Sequence, residues 1–109
     1  MVKIIWSQRA VVDLDGIADY IALDKPEAAS DLVARIRSRV VVLADFPEMG
    51  PRIPEMLRRS QFRQLVEPPC RIFYRYELKT KTIYILGVMR GERLFQMRLL
   101  AKRDAEIRD

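Results

Sequence analysis

The sequence predicts an α+β fold in which an antiparallel sheet packs against an N-terminal helical hairpin, in the order β-α-α-β-β-β plus a C-terminal helix. Two observations carry that expectation. The first half holds two consecutive stretches of helical apolar spacing, and residues 62–89 hold three β-rich runs separated by short turns. At 109 residues, 50% of them hydrophobic, the chain has the size of one domain over residues 1–109, with no room for a second.

The elements follow in order. Val2–Trp6 is short and β-rich, and it stops at Ser7, whose hydroxyl suits a helix N-cap. From Ala10 onward, Leu14, Ile17, Ala18 and Ile21 recur at helical spacing, with Asp13, Asp15 and Asp19 between them. Asp24 and Glu27 have capping-box spacing, and Pro26 falls in the first turn of a second helix. The stripe of that helix runs Ala29, Leu32, Val33, Ile36, Val40, Leu43 and Ala44. It ends at Asp45, before the breaker segment Phe46-Pro47-Glu48-Met49-Gly50-Pro51. Two helices with so short a link pack as a hairpin.

Beyond Ser60 come the runs Phe62–Glu67, Cys70–Glu77 and Thr82–Met89, parted by Pro68-Pro69 and by Leu78-Lys79-Thr80-Lys81. Linkers this short make the runs antiparallel neighbours. Strand alternation puts Ile72, Tyr74 and Tyr76 on one face of the middle run and Arg71, Phe73 and Arg75 on the other, one apolar and one cationic. After Gly91, the residues Leu94, Met97, Leu100 and Ala101 suggest a helix, mixed with Arg93, Arg98, Lys102 and Arg103. That helix either docks a partner or closes the core.

Composition narrows the chemistry. The chain has no histidine, so imidazole metal sites, His-based triads and imidazole acid–base catalysis are excluded. The lone Cys70 excludes an internal disulfide, fits a reducing compartment and reads as a small buried hydrophobe. Trp6 reads as a core residue. The start lacks an apolar signal region and no later run reaches membrane-spanning length, which leaves the cytoplasm as the expected location and no membrane as a partner. No P-loop, dinucleotide fingerprint or metal-ligand cluster is present, so no cofactor and no metal are indicated. The net charge of +5 is uneven: residues 1–57 carry seven Lys/Arg against nine Asp/Glu, and residues 58–109 carry thirteen against six. Halves of −2 and +7 argue for an anionic partner of the second half.

The sharpest local feature is arginine at Arg63, Arg71, Arg75, Arg90 and Arg93, on or just after strands expected to lie side by side. Gathered on one surface, these guanidinium groups would bind phosphate or carboxylate bidentately. The bland alternative pairs each with Glu67, Glu77 or Glu92, or leaves it solvated on an exposed sheet face. Were the surface catalytic, its chemistry would be RNA strand scission by Arg63, Arg71, Arg75 and Arg93, with Glu67 the nearest candidate base. Tyr74, Tyr76 and Tyr84 either stack on bases or pack within the sheet.

Taken in order, these signals resemble the RelE/ParE toxin superfamily over nearly the whole chain. The resemblance rests on Trp6-Ser7-Gln8-Arg9-Ala10, Asp13-Leu14 and Ile17-Ala18-Asp19-Tyr20-Ile21, then on Pro26, Ala28-Ala29, Ile36 and Leu43 to Gly50. Its strongest parts are Phe62-Arg63-Gln64-Leu65-Val66, Arg71-Ile72-Phe73-Tyr74-Arg75, Ile83 to Val88 and Arg90-Gly91-Glu92-Arg93. It implies a toxin of a type II toxin–antitoxin system that forms a hetero-oligomer with a cognate antitoxin. The long helices, the Phe46-Pro47 exit and the Arg71-to-Arg75 strand resemble the ParE branch, whose members inhibit DNA gyrase without enzymatic activity. The alternative it leaves is a RelE-like endoribonuclease acting on mRNA at the ribosome. Met89 stands where many relatives carry histidine after the last strand, which weakens that alternative.

Overall fold

The computed structural model describes residues 2–54, 56, 61–91 and 97–108. Its elements are β1 (Lys3–Trp6), α1 (Gln8–Ala22), α2 (Pro26–Val41) with a 3-10 turn over Val42–Ala44, β2 (Phe62–Glu67), β3 (Cys70–Glu77), β4 (Thr82–Arg90) and α3 (Met97–Arg108). Ser7 caps α1 as expected, its Oγ accepting from the Ala10 N–H at 3.0 Å. The capping box at α2 does not form. Lys25 is the N-cap, with no side-chain hydrogen bond, and Pro26 at the first helical position sets the start instead.

The sheet has the order β1-β4-β3-β2. β2, β3 and β4 are antiparallel, while β1 joins β4 in parallel, with Lys3 opposite Thr82 and Trp6 opposite Ile85, so the complete sheet is mixed. The two residues Pro68 and Pro69 close the β2–β3 turn and fix its register: Glu67 opposes Cys70, and Arg63 therefore opposes Tyr74. The register between β3 and β4 steps from Phe73–Gly87 to Tyr74–Ile85, leaving Leu86 as an extra residue on β4. Such a bulge flips the alternation downstream.

One face of the sheet lies on the helical hairpin. There Leu65, Ile72, Tyr74, Ile83, Ile85 and Val88 meet Ala10, Leu14, Leu32, Ile36 and Val40 in the main core. A smaller core sits on the far face, where Phe62, Phe73 and Leu86 gather with Ile53 from the loop and Leu100 from α3. The helices thus cover both faces, the hairpin one and α3 the other. Cys70 is buried as expected, and Trp6 packs half-buried against the main core. Among the described residues no helix is long and apolar enough to cross a membrane.

Candidate functional site

The strand register divides the predicted arginines. Arg71 and Arg75 lie on the far face: Arg71 is opposite Val66 and Met89, and Arg75 is opposite Phe62 and Tyr84. Arg63 shares the hairpin face with Tyr74, and the bulge at Leu86 carries Arg90 to that same face, opposite Cys70. Arg93 and Glu92 lie outside the described residues. The single cationic surface expected from strand alternation is therefore not formed by the four described arginines.

Each of the four has its own setting. Arg63 pins a loop, its Nη1 donating to the Gly50 carbonyl at 2.8 Å and to the Glu48 carbonyl at 3.3 Å. Arg71, half-buried, lies 5.1 Å over the Phe73 ring and donates from Nε to Gln64 Oε1 at 2.8 Å. Arg90, also half-buried, stacks 5.4 Å over the ring of Tyr20 on α1. Arg75 departs most from expectation. Its side chain is 2% exposed, with Nε donating to Asp104 Oδ1 at 2.7 Å and Nη1 to Glu77 Oε2 at 2.7 Å. The guanidinium also rests 4.9 Å over the Tyr84 ring. The physical cause is α3, which covers this part of the far face and brings the carboxylate that a buried guanidinium requires.

Glu67 is not placed for general-base work on the far face. It sits on the hairpin side, where Arg35 and Arg39 of α2 approach its carboxylate at 3.4 and 3.6 Å. The tyrosines divide as well. Tyr74 is fully buried, its hydroxyl donating to the Pro47 carbonyl at 3.0 Å and accepting from the Gly50 N–H at 2.9 Å. Burial pushes its phenol above the ordinary tyrosine value, and the Gly50 hydrogen bond and the nearby Arg63 charge oppose that shift. Tyr84 forms the bed under Arg75, and Tyr76 packs at the edge of the main core.

Three residues that sequence reasoning passed over organise the surroundings. Asp104 accepts from Arg75 and from Arg108, whose Nε lies 2.9 Å away, with Gln61 Nε2 at 3.5 Å. Asp13, read from the sequence as a polar residue between apolar ones, reaches the edge of β4 that β1 does not cover, where its Oδ2 accepts from the Val88 N–H at 3.0 Å. Arg103 completes that edge by donating to Asp13 at 2.6 Å and to the Leu86 carbonyl at 3.2 Å. Gly87 leaves room for this pair, since a Cβ there would lie 2.5 Å from Arg103 Nη1. The available signal was spacing: Leu100, Arg103, Asp104 and Ile107 fall on one helical face. Among the described residues no cluster of Asp, Glu or Cys is arranged to hold a metal ion.

Comparison with known proteins places this architecture. A family model described as "ParE toxin of type II toxin-antitoxin system, parDE" matches residues 4–95. The chain is 31% identical over 94 residues to Toxin RelE2 of Caulobacter vibrioides, covering 86% of this chain and 100% of that protein. It is 37% identical over 87 residues to Putative toxin Y4kP of Sinorhizobium fredii, covering 80% of this chain and 85% of that one. Among solved structures, a chain of the chromosomal ParDE system from P. aeruginosa superposes with a TM-score of 0.70 at 29% identity, over 84% of this chain and 98% of its own.

Proposed function

The chain belongs to the ParE toxin family of type II toxin–antitoxin systems, and from that premise we propose that it acts by inhibiting DNA gyrase and is neutralised by a cognate antitoxin. The observation that supports a non-enzymatic action is the dispersal of the residues a ribonuclease would need. Glu67 and Arg63 lie on the hairpin face, Arg71 and Arg75 lie on the other, and Arg75 is already engaged by two carboxylates. A base and its charge-stabilising partners have to converge on one phosphate within hydrogen-bond reach, whereas among the described residues the sheet separates Glu67 and Arg63 from Arg71 and Arg75. Target binding asks less. A surface that recognises a protein or a DNA–protein complex works with arginines that are positioned rather than convergent. Arg71 and Arg90, each half-buried and braced on an aromatic ring, are the residues proposed for it, together with Arg63 and Arg93.

The test is supercoiling of relaxed plasmid by purified gyrase in the presence of the chain freed of its antitoxin. Loss of supercoiling with accumulation of cleaved DNA is the expected result. Gyrase that stays fully active, combined with ribosome-dependent mRNA cuts mapped by primer extension after induction, would replace this reading with the endoribonuclease one.

A further inference from the structure

We propose that the outer face of α2 is a self-association surface, on which a second copy of this chain lays its own α2 antiparallel, about a two-fold axis at Ala34. The residues that α2 turns inward, Leu32, Ile36 and Val40, belong to the main core. Ala34 lies on the opposite side of the helix, and Ser30, Asp31, Arg37, Ser38 and Val41 share that side with it, all exposed.

Charge identifies the occupant. Asp31 precedes Ala34 by three positions and Arg37 follows it by three, so the two flank it on one face. Among the described residues neither takes part in an ion pair, whereas Arg35 and Arg39 are turned toward Glu67. An antiparallel copy centred on Ala34 sets Asp31 beside the copy's Arg37 and Arg37 beside its Asp31, so one pattern makes two ion pairs. A parallel copy would set Asp31 against Asp31 and Arg37 against Arg37, which is repulsive. Ala34, with only a methyl group at the axis, lets the helices approach to about 8 Å, the near end of ordinary helix packing. A nucleic-acid strand would meet Asp31 and Glu27 on the same side, so phosphate is the poorer occupant.

The apolar ends match by the same symmetry. Leu23 stands eleven positions before Ala34 and Asp45 eleven after it, so the turn entering α2 lies beside the segment leaving α2 in the other copy. Leu23 is 86% exposed, and Val42 and Phe46 on that segment are 40% and 62% exposed. An isologous contact covers this pair of clusters twice, once at each end. The apolar ends supply buried area, while the ion pairs fix direction and register. With α2 sixteen residues long, about 24 Å, the interface is small, and association in the micromolar range is expected. The proposal is independent of what the toxin acts on.

The experiment follows the full-length chain, freed of antitoxin, by analytical ultracentrifugation from about 5 to about 300 μM. Its average mass should rise from 12.8 kDa toward twice that value. Asp31→Arg and Arg37→Asp each place like charges at both contacts and should weaken self-association at least about tenfold. An equimolar mixture of these two variants should regain it, because every pair across the interface is again of opposite sign. A chain carrying both changes should regain it for the same reason, whereas Leu23→Asp should weaken it with no such rescue. All these positions are exposed, and circular dichroism melts matching the parent's show that the fold is kept. A parent that stays monomeric throughout, reversals that leave its association unchanged, or a mixture that regains nothing overturns the proposal. Should a reversal variant not fold, Ala34→Glu takes its place and opposes two carboxylates at the axis; a monomer is then expected, and an undiminished dimer overturns the proposal. A DNA duplex that binds through Arg37 while the chain stays monomeric also overturns it.

Discussion

Arg63 and Tyr74 stand directly opposite each other across β2 and β3, and both grip Gly50: Arg63 donates to its carbonyl at 2.8 Å, and the Tyr74 hydroxyl accepts from its N–H at 2.9 Å. The loop leaving α2 is thereby fastened to the sheet at a point buried from water. Polar backbone groups at such a point need partners, and here one phenol and one guanidinium supply them.

Tyr74→Phe leaves the Gly50 N–H and the Pro47 carbonyl without that partner, and should lower unfolding stability by about 1–3 kcal/mol in urea denaturation. It should also change the response to alkali. Burial holds the folded phenol above its ordinary value of 10.0, so the unfolded chain releases its proton first. That contribution is complete below pH 10 and is lost as pH rises through the folded value. Melts taken from neutral pH to beyond pH 10 should therefore show a steeper alkaline decline in the parent than in the Phe variant.

Two glycines give opposite expectations. A Cβ on Gly50 would lie 2.4 Å from the Gln64 carbonyl oxygen and 2.8 Å from the Tyr74 ring, so Gly50→Ala should cost about 1–3 kcal/mol through overpacking against backbone. A Cβ on Gly16, in the middle of α1, would meet nothing within 4 Å. Gly16→Ala should stabilise by about 0.5–1 kcal/mol, because alanine is the better helix former. Paired thermal melts read both signs.

Arg75→Ala and Asp104→Ala each break an ion pair whose side chains are 2% and 5% exposed, and each should lower stability by about 3 kcal/mol. Glu77 keeps a partial hold on Arg75 when Asp104 is removed, and Arg108 keeps one on Asp104 when Arg75 is removed, so the two losses should be similar. Equal denaturation midpoints for parent and variants would contradict this coupling.

Arg71→Ala and Arg90→Ala should relieve growth inhibition on induction while lowering stability by no more than about 1 kcal/mol, because both side chains are partly exposed. Colony counts after induction, set beside melting temperatures of the purified variants, separate loss of function from loss of fold. Equal loss of both would contradict the assignment.

The sequence made the three antiparallel strands legible almost to the residue, because Pro68-Pro69 and the Leu78-to-Lys81 turn delimit them on both sides. It also made the hairpin legible, through periodicity and the Ser7 cap. The position of Arg63 was within reach: pairing Glu67 with Cys70 across a two-residue turn already sets Arg63 opposite Tyr74 and away from Arg71. Arg90 was not, because strict alternation from Tyr84 puts it on the far face and nothing local announces a bulge at Leu86. The burial of Arg75 depends on Asp104, twenty-nine positions away, and local patterns carry no information about such a partner. β1 likewise reads as a strand, but its choice of β4 as a parallel neighbour is set by packing over the whole domain.

That parallel pairing bears on how the toxin is made. Lys3 and Ile4 find their ladder partners at Thr82 and Ile83, so β1 has to wait for β4. A nascent chain grown only to the end of α2 presents two amphipathic helices with no sheet to cover, and closing so long a loop is slow and entropically costly. The sheet therefore closes only once β4 has been made, and a chain that stops before Thr82 lacks the strand on which β1 has to pair.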